Sequence, residues 1–361
     1  MTPLSLLLCA YASAASPFSL QLLPAAPPSA QAYHNASLSS WGGNVARDPA
    51  TGLYHLYAAA MTKHCNLGAW TSNSEVIHAV ADAPEGPFSL NDVALRPWHH
   101  NPQVLRHPDG TWLLFTIGTA GVPKEQDCQR NPAGRVASSE RTRVGGPKTG
   151  EFVQLHSAPG PDGPWTFLNL TRKASNPGIF GGNSSDHGTN PTPWVLPNGT
   201  VVVGSHDGHG FYVQRAPDWR GPYERVPGYL FQFEGNATAL DYVFEDPYLW
   251  YDRAAARWRC LLHQYSRKTK QILVGGVATS LTPNLLGSWS LQPHSEPVFT
   301  VRVNDSAGGT EVFARRERPK LLLDEATGEP RVLYTAVCPS EPEGDGLCYT
   351  HAQVVQPADR M

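Results

Sequence analysis

Apolar and polar positions alternate along this chain in short runs, and the alternation predicts strands. Residues 244–252, FEDPYLWYD, show the pattern: Glu245 and Asp246 stand together, Pro247 follows, and bulky residues then alternate with others. A strand opened through a proline fits this run. Four further stretches share the design. WGGNVARDPATGLYHLYAA begins at Trp41, HNPQVLRHPDGTWLLFTIG at His100, TNPTPWVLPNGTVVVGSHD at Thr189 and ERPKLLLDEATGEPRVLYTAV at Glu317. Each runs from an opening pair, often x-Pro, through an apolar strand to a turn and a second apolar strand, which predicts a hairpin. No 12-residue stretch with helical apolar spacing occurs outside the N-terminus.

The downstream halves repeat as well. ADAPEGPFSL, SAPGPDGPWTF, APDWRGPYERV and SLTPNLLGSWSL each end in Gly, then Pro or Ser, then an aromatic residue. Each follows a strand-like stretch such as VIHAV or FVQLH. The fifth unit lacks this tail and ends in CYTHAQVV. Two hairpins per unit, with mouth positions at 42, 101, 190, 246 and 318, predict an all-β chain. Its architecture is a single five-bladed β-propeller of four-stranded antiparallel blades. The alternative for such hairpins is a β-sandwich. No linker or second domain is visible, so residues 15–361 form the propeller domain.

Composition agrees: Gly 33, Pro 33 and many aromatic residues suit short strands and turns. The formal net charge is −3 and no basic run appears, which excludes nucleic acid as a partner. Leu4 to Ala12 is apolar and Ala12-Ser13-Ala14 is a small-x-small cleavage pattern. Residues 1–14 therefore read as a signal peptide, although the usual positive n-region is missing; an apolar anchor is the alternative. Sequons at Asn35, Asn169, Asn183, Asn198, Asn236 and Asn304 fit a secreted glycoprotein. With Cys9 removed, five cysteines remain. Cys338 and Cys348 flank a short loop, Cys65 and Cys128 lie in long loops, and Cys260 sits in the apolar run WRCLL. Two disulfides and one buried thiol are expected, with no membrane contact after signal cleavage and a monomeric state.

In a propeller the innermost strands begin near the central axis, so the residues before them line one funnel. Here that set is Trp41, Gly42, His100, Asn101, Thr189, Asn190, Glu245, Asp246, Glu317 and Arg318. Amides, charges and aromatic rings in one funnel suit a sugar, whose hydroxyls take hydrogen bonds and whose C–H face stacks on rings. Asn44 joins Trp41, His100, Asn101, Asn190 and Arg318 as a candidate binding residue, and so does Asp186-His187 in the loop GIFGGNSSDHGTNP. Glycoside cleavage needs a proton donor and a second carboxylate. Glu245, Asp246 and Glu317 are the candidates, with Asp241 a further carboxylate before the fourth unit. An ion pair of Glu317 with Arg318 or Lys320 is its structural alternative. Asp48-Pro49 occupies a hairpin turn, as Asp324-Glu325 does. His64, His99, His100, His187 and His263 lie near the mouths, but no H-x-x-x-H or Cys/His spacing marks a metal site. Serine-nucleophile motifs and phosphate-binding glycine loops are absent.

The x-Pro strand openings and Gly-Pro-aromatic tails resemble the five-bladed propellers of glycoside hydrolase family 43 and its relatives. The resemblance covers about the whole mature chain. It implies a carbohydrate substrate and an inverting mechanism. It also implies a catalytic acid at Glu245, since Glu245-Asp246-Pro247 matches the family's Glu-Gly-Pro with Asp246 in place of Gly. The family's general base, an Asp opening the first blade, corresponds to Gly42 or Gly43. Its acid-tuning Asp corresponds to Asn190. WGGN and ERPK are similar to stretches of galactanase-like members that lack the Asp base, though ERPK falls in a different blade. No cofactor is required, and an axial calcium, found in some relatives, is not demanded by these residues. A binding propeller without hydrolysis explains Gly42 and Asn190 directly, and a protein-interaction scaffold is the third reading.

Overall fold

The computed structural model describes residues 18–25, 31–118, 125–128, 152–168, 189–206, 209–232, 242–266, 272–339 and 347–356. The predicted signal segment, Asp186, His187, Asp241 and nearly all of the long second-unit insertion lie outside the described residues.

The strands run in chain order as β1 (Gln31–Tyr33), β2 (Ser40–Arg47), β3 (Tyr54–Met61), β4 (Ser74–Ala81) and β5 (Ser89–Leu95). Next come β6 (His99–Arg106), β7 (Trp112–Gly118), β8 (Phe152–Ala158), β9 (Thr166–Phe167), β10 (Thr189–Val195), β11 (Val201–His206), β12 (Gly210–Ala216), β13 (Glu224–Arg225) and β14 (Phe231–Gln232). The remainder are β15 (Tyr242–Asp252), β16 (Arg257–Ser266), β17 (Ile272–Ser280), β18 (Trp289–Leu291), β19 (Phe299–Thr300), β20 (Arg302–Asn304), β21 (Thr310–Val312), β22 (Arg315–Leu323), β23 (Pro330–Cys338) and β24 (Tyr349–Val354).

Four blades are sequential meanders: β2–β5, β6–β9, β10–β13 and β15–β18. The fifth has the order β1-β24-β23-β22. Its missing tail is thus replaced by β1 from the start of the chain, Gln31 pairing with His351. The N-terminal strand closes the ring and covers the edge that β24 would expose.

Each seam between neighbouring blades has its own apolar layer. Between the second and third blades Phe115, Ile117 and Leu155 meet Val201, Val203 and Trp219. Between the fifth and first, Tyr334 and Val332 meet Leu56, Ala58 and Ile77. Burying one such side chain contributes about 1.5–3 kcal/mol. The alternation seen in the sequence places these residues on blade faces, with polar neighbours on the other side or at the rim. Gly86, Gly163 and Gly221 of the Gly-Pro tails take φ of +86°, +86° and +89°, a region that disfavours any residue with a Cβ.

Cys65 pairs with Cys128 and Cys338 with Cys348, while Cys260 is a buried free thiol, as expected. Asp48 and Asp324 cap the turns that follow β2 and β22, at the ends of those strands farthest from the mouth. Asp48 accepts from Ala50 N and Thr51 Oγ1, and Asp324 from Thr327 N.

Candidate functional site

Every innermost strand is kinked at the same place. Gly42, Asn101, Asn190, Asp246 and Arg318 have φ of +62°, +51°, +54°, +56° and +57°, and strand register shifts at each of them. Four of these residues precede a proline, which disfavours the right-handed helical conformation. A left-handed residue and a register shift form a bulge, which re-aims the side chain. Each non-glycine member carries a conformational cost of about 1–2 kcal/mol, so a network of contacts must hold the ring.

That network is a polar hub. Arg318 Nη1 lies 2.6 Å from Asp246 Oδ1 and donates to Asn190 Oδ1 at 2.7 Å. Asn190 Nδ2 donates to Asp246 Oδ1 at 2.8 Å and lies 3.1 Å from His206 Nε2. Asn101 Nδ2 donates to Asn190 Oδ1. Gly42 supplies no side chain, and the stem of Arg318 packs there instead: a Cβ on Gly42 would stand 3.2 Å from Arg318 Cβ. Beneath the ring, Lys320 is buried and donates to Gln103 Oε1 and to the Pro247 carbonyl. Burial pushes its ammonium down to about 8.

Around the hub stand the preceding residues. Glu245 is half-buried at the mouth and accepts from Tyr265 Oη at 3.2 Å. Glu317 is buried and bound by Arg315 Nε at 2.9 Å. The expected partners Arg318 and Lys320 point elsewhere, because the bulge at Arg318 turns it to the axis. His263 sits opposite Glu245 on β16. Its Nδ1 lies 3.6 Å from Asp246 Oδ2 and its Nε2 3.9 Å from Glu317 Oε1. Both distances are too long for hydrogen bonds. Asp246 Oδ2 and both His263 nitrogens are buried without a partner among the described residues. Glu245, Asp246 and His263 each offer an atom within 4.8 Å of the other two, a geometry that could hold a cation.

The other candidates are placed as follows. Trp41 is buried among Cys65, Cys128, Cys338 and Cys348, with Arg315 over its ring at 5.4 Å. His100 is buried, its Nδ1 2.7 Å from Ser74 Oγ and its ring 5.0 Å from that of Trp70. Burial, with Arg318 nearby, holds its imidazole well below the usual range, so it is neutral. Asn44 lies below the mouth, and its amide oxygen accepts from Val104 N at 2.7 Å, joining the first two blades. Asp186 and His187 lie outside the described residues.

Sequence reasoning passed over Trp70, Arg315, Tyr265 and His206, and noted His263 only as a mouth histidine. Counting back from the hairpin turn after Asp252 sets Gln264 against Glu245, and the bulge at Asp246 shifts the register by one to bring His263 there. Trp70 lies in an insertion between β3 and β4 that has no counterpart in the repeat. It is half-exposed and fastened near the Cys65–Cys128 bridge.

No protein-family profile and no curated protein matches the chain. Solved structures do. The catalytic domain of a GH62 α-L-arabinofuranosidase from Coprinopsis cinerea aligns with TM-score 0.60 and 12% identity, over 94% of this chain and 98% of that one. An endo-arabinase from Bacteroides thetaiotaomicron gives 0.56 and 15%, over 93% and 99%. A family 117 glycoside hydrolase from Zobellia galactanivorans gives 0.55 and 11%, over 93% and 90%. The resemblance read from the strand openings is therefore borne out as a shared five-bladed propeller fold.

Proposed function

We propose that the funnel binds a carbohydrate and that the chain is a secreted glycoside hydrolase with Glu245 as its proton donor. One observation carries this: Asp246 Oδ2 and both His263 nitrogens are buried at the mouth without partners among the described residues, beside Glu245 and Glu317. Buried polar atoms cost free energy unless something satisfies them. Sugar hydroxyls donate and accept, and so suit a mixed carboxylate–imidazole surface. Half-exposed Trp70, above buried His100, offers a ring for the C–H face.

In this reading Glu245 gives its proton to the glycosidic oxygen as the C–O bond breaks. A water attacks the opposite face of the sugar and gives a proton to Glu317, held in place by Arg315. Inversion requires the two carboxyl groups to stand roughly 6.5–9.5 Å apart around that water. Asp246 is spoken for by Arg318 and Asn190, so it binds and orients. The axis does not suit a calcium ion. Its ring holds one carboxylate, already bound to a guanidinium, whereas Ca²⁺ takes six to eight oxygens. Arg318 is the positive charge built into that position.

Secretion rests on residues 1–14 as a signal peptide and on the two disulfides. No described helix is long and apolar enough to cross a membrane. Large exposed apolar residues, such as Leu90, Phe167 and Leu281, are scattered along the described chain, which fits a monomer acting on a glycan.

Gly42 favours a second reading, a binding propeller without hydrolysis. Position 42 itself carries no carboxylate, and the Arg318 stem fills the space one would need. The test is hydrolysis of a panel of aryl glycosides and polysaccharides by the protein and by Glu245→Gln, with sugar binding measured alongside. Activity lost in the variant supports the enzyme. Binding by both with hydrolysis by neither leaves the lectin-like reading.

A further inference from the structure

The far face of the propeller carries a second histidine–carboxylate group, at the seam of the first two blades. His55 lies near the start of β3, opposite Ala46, and so at the end of the blade away from the mouth. His78 is on β4, and Asp92 is on β5. Asp162 comes from the turn between β8 and β9 of the next blade. His55 Nδ1 and His78 Nε2 face each other at 2.9 Å. His78 Nδ1, on the other side of the ring, lies 3.5 Å from Asp92 Oδ1 and 3.8 Å from Asp162 Oδ1. His55, His78 and Asp162 each offer an atom within 4.8 Å of the other two.

We propose that His55, His78 and Asp162 form a site for a zinc-class dication that ties the first blade to the second, with Asp92 supporting His78. Imidazole nitrogen and carboxylate oxygen are the donor set that Zn²⁺ and its neighbours prefer. Zinc bound about 2.0–2.1 Å from each nitrogen places the two roughly 3.0–3.4 Å apart, so the 2.9 Å pair need open only by tenths of an ångström. Asp92 at the far nitrogen of His78 makes the carboxylate–histidine arrangement that fixes tautomer and ring orientation in metal centres.

The supporting scaffold is rigid. The Tyr57 ring stacks on His78 at 4.8 Å and 10°. Its hydroxyl donates to the Pro161 carbonyl, which holds the neighbouring blade's turn, and so Asp162, in place. The Trp112 ring meets His55 edge-on from the same blade. Charge points the same way. Asp92 and Asp162 approach one histidine from two blades and neither has a Lys or Arg partner among the described residues. Both are exposed, at 43% and 67% of their side chains, so an ion can reach the group from solvent. Asn91 Nδ2 donates to Asp92 Oδ2 and to Asp162 Oδ1 at 3.3 Å each, a neutral bridge, and a dication supplies the positive charge that this bridge lacks.

The experiment is calorimetric titration of the intact protein with Zn²⁺, and with Co²⁺ followed by visible absorption. Asp162→Asn removes an exposed ligand without touching the core, and Glu245→Gln controls for the funnel. The expected result is one ion per chain, a metal-dependent rise in melting temperature, and binding at least ~10-fold weaker in Asp162→Asn but unchanged in Glu245→Gln. Absence of zinc binding overturns the proposal. So does binding that survives Asp162→Asn, or binding that is lost in Glu245→Gln instead.

Discussion

Arg318 Nη1 stands 2.6 Å from Asp246 Oδ1, and the aspartate side chain is fully buried. The two residues open neighbouring innermost strands, and both hold a left-handed backbone. Their pairing locks the fourth and fifth blades at the axis and draws in Asn190 of the third. Removing one partner of a buried pair costs about 3–5 kcal/mol, because the other charge is left uncompensated. Asp246→Asn and Arg318→Met should each destabilise by an amount of that order. The double variant should be less destabilised than the sum by about 1–3 kcal/mol. Urea unfolding of all four proteins measures this, and additive losses would show that the pair is not a unit.

Gly42 is tied to the same guanidinium. Its φ is +62°, and an added Cβ would come within 3.2 Å and 3.3 Å of Arg318 Cβ and Cγ. Gly42→Asp places a carboxylate at the first blade's mouth, but into occupied space and a strained conformation. It should lower stability by about 1–3 kcal/mol. Introduced into an Arg318→Ala background, where the space is free, the same substitution should cost less than it does in the parent. Thermal melts of the parent, both single variants and the double decide; an equal loss in both backgrounds would mean that Arg318 is not what fills the site.

Much of this was legible because periodicity survives divergence. Four x-Pro openings and the Gly-Gly of the first unit located the five mouths, and the bulge residues are those the repeat singled out: Gly42, Asn101, Asn190, Asp246 and Arg318. Side-chain direction was less legible, since the left-handed turn sends each side chain where an extended strand would not. Arg318 therefore meets Asp246 rather than Glu317, and Arg315, two residues upstream, takes Glu317. Trp41 looked like a funnel wall from its place in the repeat, yet the disulfide-bearing loops close over it. Those loops are insertions, and insertions obey no repeat.

Asn44 illustrates the same limit. Its place just past the mouth made it a binding candidate, but its amide oxygen serves the backbone N–H of Val104 across the first seam. Thr192 does the same for Leu249 N at the third seam. Asn44→Ala leaves a buried N–H without an acceptor, which costs about 1–3 kcal/mol. The variant should unfold at lower urea while binding sugar with unchanged affinity. Weakened sugar binding at full stability would return Asn44 to the funnel.

Acid should destabilise the second blade in part through His156. This residue is buried on β8 against the rings of His99 and Phe167, and its Nδ1 has no partner among the described residues. Burial, helped by His99, pushes its imidazole down to about 3. Unfolded, the ring takes a proton near pH 6.5. Between those values the unfolded chain binds a proton that the fold refuses, so stability falls as pH drops from about 6.5 toward 3. The slope from one such group is at most about 1.4 kcal/mol per pH unit. His156→Leu removes the group and keeps an apolar filling. The stability lost between pH 7 and pH 4.5 should then shrink by about 2 kcal/mol relative to the parent. His100 titrates in both proteins and so cancels in the difference. Urea midpoints at the two pH values provide the measurement, and the same acid sensitivity in parent and variant would refute the assignment to His156.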